Sequence, residues 1–157
     1  MNTPDRYSKI KSAFIQAAAL AEITINPSEM EVQFVAAPHV PPSSLPAERM
    51  AVYVFMYGEQ CLKVGKAGPK STARFCSQHY ATNSAPSTLA RSLLKYQSDI
   101  GVGGLDDKNV GDWMRRETSR VNFLIPSAYG MFVLSLLESF VQCSLKPKFE
   151  GFSGQQA

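Results

Sequence analysis

The stretch from Ala51 to Tyr80, AVYVFMYGEQCLKVGKAGPKSTARFCSQHY, constrains the fold of this chain more than any other. Ala51-Val-Tyr-Val-Phe-Met56 is a β-branched and aromatic run. Gly58-Glu59-Gln60 turns it, and Cys61-Leu-Lys-Val-Gly65 returns, so pattern and turn chemistry together predict a β-hairpin. The hairpin places Tyr53 and Lys63 near paired positions of neighbouring strands. A glycine-bearing loop, Lys66-Ala-Gly-Pro69, follows. Next comes a helical segment, Ser71 to Gln78, that carries Arg74 and leads into His79 and Tyr80. A phenol, an amine, a guanidinium and an imidazole within 28 residues suit an anionic substrate better than a core.

The chain before this stretch predicts an amphipathic helix over residues 6–22, with Ile10, Phe14, Ala17, Ala18 and Ala21 at helical spacing. Asn26-Pro27 breaks it, and Glu31–Val35 alternates as a short strand does. Pro38, Pro41, Pro42 and Pro46 then make a stiff linker. The boundary of the main domain falls near Ala47. Residues 1–46 form an accessory helix, strand and linker suited to packing or dimerisation, residues 47–152 the domain itself, and 153–157 a tail.

Beyond the hairpin, Asn83-Ser-Ala-Pro86 interrupts the helical segment, and Ser84 or Ser87 caps a helix over Thr88–Gln97 with the stripe Leu89, Leu93, Leu94 and Tyr96. Ile100–Asn109 is a Gly- and Asp-rich loop, and Gly111–Glu117 a helical turn. Arg120–Ile125 is the third strand, and Ala128–Leu145 a long helix, apolar almost all round as a core helix is. The order predicts the α/β (or α+β) class: a small three-stranded, antiparallel-containing sheet flanked by helices, with an N-terminal helical extension.

Composition narrows the function classes. A chain of 157 residues supports one ordinary domain, and 45% hydrophobic with 18% charged residues matches neither a disordered nor a membrane protein. The longest apolar run, Met131–Leu137, stops at Glu138, short of the ~18–20 residues of a membrane span. The N-terminus has no signal-like run. Three cysteines without CxxC spacing and two histidines disfavour a structural zinc site and point to a reducing cytoplasm. Lys and Arg number 10 against 5 Asp and Glu in residues 61–120, against 4 and 6 in residues 1–60. A local basic excess of this kind is what phosphate binding needs, although a solvated face has the same composition. Gly65-Lys-Ala-Gly68 lacks the ending of a Walker loop, which argues against nucleotide hydrolysis.

Ala51-Val-Tyr53, Lys63-Val-Gly65, Arg74, Glu138 within Leu136-Leu-Glu-Ser-Phe140, and the closing Lys146-Pro-Lys-Phe-Glu-Gly151 stand in the order of the GIY-YIG nuclease superfamily, which residues 50–152 resemble. Lys63 stands where that family usually has Tyr, a replacement resembling some restriction-type members. The family's His or Tyr commonly lies four residues after the Arg; here that position is Gln78, with His79 and Tyr80 beyond. His79 is the favoured occupant, because imidazole orients water or protonates a leaving group.

The resemblance implies a metal-dependent endonuclease that hydrolyses phosphodiester bonds in DNA. Water is activated through Tyr53 and Lys63, the latter only in its neutral form, which neighbouring cations and burial favour. Arg74 grips the phosphate, and Glu138 holds Mg²⁺ or Mn²⁺. Lys66, Lys70, Gln78, Tyr80, Arg91 and Lys146 are expected to contact the nucleic acid.

Each residue also has a plain structural reading. Tyr53 is then strand packing, Lys63 an edge-strand solubiliser, Arg74 a surface cation, and Glu138 part of a narrow polar stripe with Ser135 and Gln142. The rival functions are a catalytically inactive nucleic-acid-binding module with the same fold, and a structural or dimerising domain.

Overall fold

The computed structural model describes residues 3–85 and 88–150. Ser87, Gly151 and the 153–157 tail lie outside the described residues. The elements run α1 (Thr3–Leu20), β1 (Glu31–Val35), β2 (Arg49–Tyr57), β3 (Gln60–Ala67), α2 (Thr72–Cys76), α3 (Leu89–Tyr96), α4 (Val110–Glu117), β4 (Ser119–Pro126) and α5 (Gly130–Leu145). A single 3₁₀ turn, Gln78–Tyr80, follows α2. The strands form one antiparallel sheet in the order β1-β4-β2-β3.

The sheet has four strands rather than the expected three. Glu31–Val35 pairs with β4 along its whole length, from Glu31 opposite Leu124 to Val35 opposite Arg120. The first 46 residues are thus built into the sheet and its core.

β2 is central, and its alternation divides the interior. Met50, Val52, Val54 and Met56 face one layer with Tyr7, Ile10, Phe14 and Ala18 of α1 and Val133, Leu134, Leu137, Val141 and Leu145 of α5. Ala51, Tyr53 and Phe55 face the other, with Phe75 of α2, Leu89 and Leu93 of α3 and Trp113 and Met114 of α4. Period-two alternation on a strand covered on both faces produces this division. In α1, Tyr7 joins Ile10, Phe14 and Ala18 inside, whereas Ala21 lies past the helix end and is exposed. Phe34 stays 37% exposed, its ring stacked on Tyr7 with centroids 6.0 Å apart.

Ser127–Leu145 has the length and mean hydropathy (1.4) of a membrane span, contrary to the expectation from Met131–Leu137 alone. Here five of its apolar side chains pack into the core, and Glu138 within it is ion-paired to Lys66. It is not apolar-buried all round either: Met131 is 50% and Phe132 93% exposed. Thr88, not a serine, caps α3, its side chain accepting the Arg91 N–H.

Candidate functional site

The hairpin turn sets the site's geometry. Gly58 occupies the first loop position with φ +55°, a conformation glycine adopts without penalty. From the turn, Tyr57 opposes Gln60 and Met56 opposes Cys61. Then the register shifts: Phe55 opposes Lys63, and Leu62 is the extra residue of a β-bulge. Without the bulge, Lys63 would fall opposite Val54 and point at the α5 layer. With it, Lys63 shares the face of Phe55 and Tyr53, and Gly65 comes to lie opposite Tyr53. Tyr53 and Lys63 are therefore on one face but not paired, a shift of two residues from the expected arrangement.

The Tyr53 ring lies directly across Gly65. A Cβ at Gly65 would sit 2.5 Å from the Tyr53 hydroxyl oxygen and 2.6 Å from Cζ. Only glycine leaves room for the ring to cross β3 and carry its hydroxyl towards the edge of the sheet.

His79 reaches this hydroxyl because α2 is short. The helix stops at Cys76, Ser77 leaves helical geometry, and the 3₁₀ turn brings His79 inward. Its Nε2 lies 2.6 Å from the Tyr53 hydroxyl, and its Nδ1 accepts the Leu89 N–H at 3.1 Å. A ring nitrogen that accepts carries no proton, so the neutral ring bears its proton on Nε2 and donates it to Tyr53. Burial, helped by Lys63, Arg74 and Arg120, pushes the imidazole down to about 3. Burial pushes the Tyr53 phenol up to about 12, against the pull of the neighbouring Arg74 guanidinium. His79 is thus a neutral group that fixes Tyr53, and it lies behind the cleft rather than in it.

The cleft opens beside them at the β3 edge, with a volume of about 490 Å³. Lys63, Arg74 and Glu138 line it together with Tyr96, Asp99, Lys148, Phe149 and Glu150. Lys63 comes from the α2 side of the sheet and Glu138 from the α5 side. They share a cleft because β3 is an edge strand, around which groups from both faces can meet. The chain after α5 covers the rest of that edge: Lys148 N–H donates to the Cys61 carbonyl and Phe149 N–H to that of Leu62, both at 2.9 Å. The Glu150 carboxylate accepts the Val64 N–H at 3.0 Å and the Gln142 amide at 3.3 Å. Burial raises the Glu150 carboxyl, and Lys63 opposes that rise.

Glu138 accepts from Lys66 Nζ at 2.7 Å, and Ser135 Oγ accepts from the same amine at 3.2 Å. The pair is partly buried, with side-chain exposures of 35% for Lys66 and 18% for Glu138. Among the described residues no group of three or more His, Cys, Asp or Glu could cage a metal. A Mg²⁺ ion held by one carboxylate, substrate phosphate and water needs no such cage, but here the Glu138 carboxylate is engaged by the Lys66 ammonium.

The other residues singled out in the sequence are dispersed. Tyr80 is 6% exposed and faces the interior, so it cannot be a surface contact. Its hydroxyl donates to His39 Nε2 at 2.6 Å, since His39 Nδ1 must carry the proton it gives to the Thr118 carbonyl at 2.7 Å. Gln78 is half-buried, and its carbonyl accepts from Ser84. Lys70 and Lys146 are exposed and do not line the cleft. Arg91 lines a separate depression with Thr82, Ser84 and Asp107. Lys66 is ion-paired with Glu138 and stays partly exposed.

Sequence reasoning passed over Arg120, which is 1% exposed and makes no ion pair among the described residues. Its Nε donates to Asn122 Oδ1 at 2.8 Å and another nitrogen to the Phe75 carbonyl. The guanidinium lies 5.4, 5.2 and 4.6 Å from the ring centroids of Tyr53, Phe55 and Phe75. The available signal was the alternation Arg120-Val-Asn122, which sets two polar groups on one face of a buried strand.

No family model, curated protein or solved structure matches this chain.

Proposed function

We propose that the chain is a metal-dependent endonuclease that hydrolyses phosphodiester bonds in DNA, as its resemblance to the GIY-YIG nucleases implies. The observation that supports this most is the convergence of Lys63, Arg74 and Glu138 on one cleft, from three separate elements, with the Tyr53–His79 pair directly behind. Two cations facing a carboxylate across a cleft suit a phosphodiester beside a cation.

Arg74 grips the scissile phosphate and stabilises charge that builds at phosphorus. Lys63 lines the cleft and, as the free amine, takes the proton of the attacking water as its oxygen bonds to phosphorus, while the Tyr53 hydroxyl orients that water. Glu138 would hold Mg²⁺ or Mn²⁺, which supplies Lewis-acid polarisation of the phosphate and of the leaving oxygen. Lys66 releases Glu138 for that role and turns to neighbouring phosphate.

A second reading rests on the closed state of these groups. Lys66 neutralises Glu138, an arrangement that also suits a module binding nucleic acid without cutting it. Supercoiled plasmid and branched DNA, incubated with the protein in Mg²⁺ or in EDTA, separate the readings. The nuclease nicks or cuts in Mg²⁺ only. The inactive module shifts the DNA in a gel and leaves it intact, and a structural domain does neither.

A further inference from the structure

We infer that the outer wall of the cleft, Tyr96 with Phe149, is a stacking site for one unpaired nucleobase, so that the DNA taken at this site has single-stranded character at the phosphate. The inference rests on the nucleic-acid reading above and names its substrate class. Tyr96 ends α3 and remains 41% exposed where it lines the cleft. Its ring stacks on Phe149 at 21° between planes and 6.2 Å between centroids.

Phe149 is held in register with the site. Its N–H donates to Leu62, the residue before Lys63, and its carbonyl lies 3.5 Å from Lys63 Nζ. The aromatic wall is therefore fixed relative to the Lys63 amine. Lys95 Nζ lies over the Tyr96 ring, 5.0 Å from its centroid, so a base that stacks there displaces this flexible amine towards its own phosphate, and Lys148 lines the same cleft.

Volume and chemistry then limit the occupant. A cleft of about 490 Å³ is of small-molecule size, enough to enclose one nucleotide unit. A base within an intact duplex has both faces covered by its neighbours and must leave the stack before a side chain can cover one. An aromatic side chain accepts any base, because every base has a π-face. The cleft thus favours a flap, a gap or a strand end over continuous duplex.

Binding tests this without requiring cleavage. A labelled 12-nucleotide strand, the same sequence as duplex, and the same strand with abasic sites are titrated against the full chain in EDTA. The wild-type protein is expected to bind the strand about tenfold more tightly than the abasic strand, the size of one base–aromatic stack, and more tightly than the duplex. Tyr96→Ala should bring the strand to the abasic level, while Tyr96→Phe keeps the preference. Equal affinity for all three DNAs, or a Tyr96→Ala protein that binds the strand like wild type, overturns the stacking site even if plasmid is cut. A Tyr96-dependent preference in a protein that never cuts supports it and removes the nuclease reading instead. No binding to any of the three overturns it.

Discussion

Gly65→Ala isolates the contact on which the site is built. The Gly65 backbone lies outside the left-handed region, so alanine meets no conformational penalty there. The added methyl would stand 2.5–2.7 Å from three atoms of the Tyr53 side chain. Ordinary carbon contacts lie at about 3.5–4.0 Å, so the ring must retreat by about 1 Å. It has nowhere to go: Tyr53 is fully buried, with Phe55, Phe75 and the Arg120 guanidinium around it. Overpacking of this kind costs about 1–3 kcal/mol. Moving the hydroxyl off His79 leaves buried polar groups unpaired, at a further cost of about 1–3 kcal/mol. Together these predict a loss of about 2–6 kcal/mol in urea unfolding. In a Tyr53→Ala background the methyl meets no ring, and the same substitution should be within about 1 kcal/mol of neutral. Wild-type stability for Gly65→Ala, or an equal loss in both backgrounds, would refute the steric argument.

The His79 imidazole, held near 3 by burial, stays neutral in the folded chain while the unfolded chain takes up a proton below its ordinary value of 6.5. Stability from this group is complete above 6.5 and is lost as pH falls towards 3, by about 1.4 kcal/mol per pH unit, or about 2 kcal/mol at pH 5. Unfolding series from pH 7 to 4 should therefore fall more steeply for wild type than for His79→Gln; parallel slopes would remove His79 from the account. Deleting residues 1–46 strips β1 from β4 and uncovers the layer that Tyr7, Ile10 and Phe14 seal, so the remainder should aggregate. A truncated chain of unchanged solubility and melting temperature would contradict that packing.

The alternating runs at Ala51–Met56 and Cys61–Gly65 made the hairpin legible, because period two and turn glycine are local properties. The bulge at Leu62 was not, since a register shift depends on both strands and the layers above them, and it moved Gly65 rather than Val64 opposite Tyr53. His79 reaches Tyr53 because its helix ends early, at Cys76. Nothing local marks that break. The alternation of Glu31–Val35 identified a strand, but its pairing with β4 spans some ninety residues of sequence and was missed. Lys66, Tyr80 and Arg120 show the same limit. Each is a polar residue whose partner lies far along the chain, in Glu138, His39 and the aromatic cluster, so type and spacing alone placed two of them on the surface and passed over the third.

The most direct test of the central claim is single-turnover cleavage of supercoiled plasmid by wild type and Glu138→Gln in Mg²⁺, with DNA binding measured alongside in EDTA. Glu138 lies at the edge of the cleft and its amide analogue keeps the shape and the Lys66 contact, so folding and binding should survive. The account predicts metal-dependent cutting by wild type and none by Glu138→Gln at matched binding. Cutting that persists in Glu138→Gln would contradict the role of that carboxylate, and a wild-type protein that binds DNA but leaves it intact in Mg²⁺ would contradict the nuclease assignment itself.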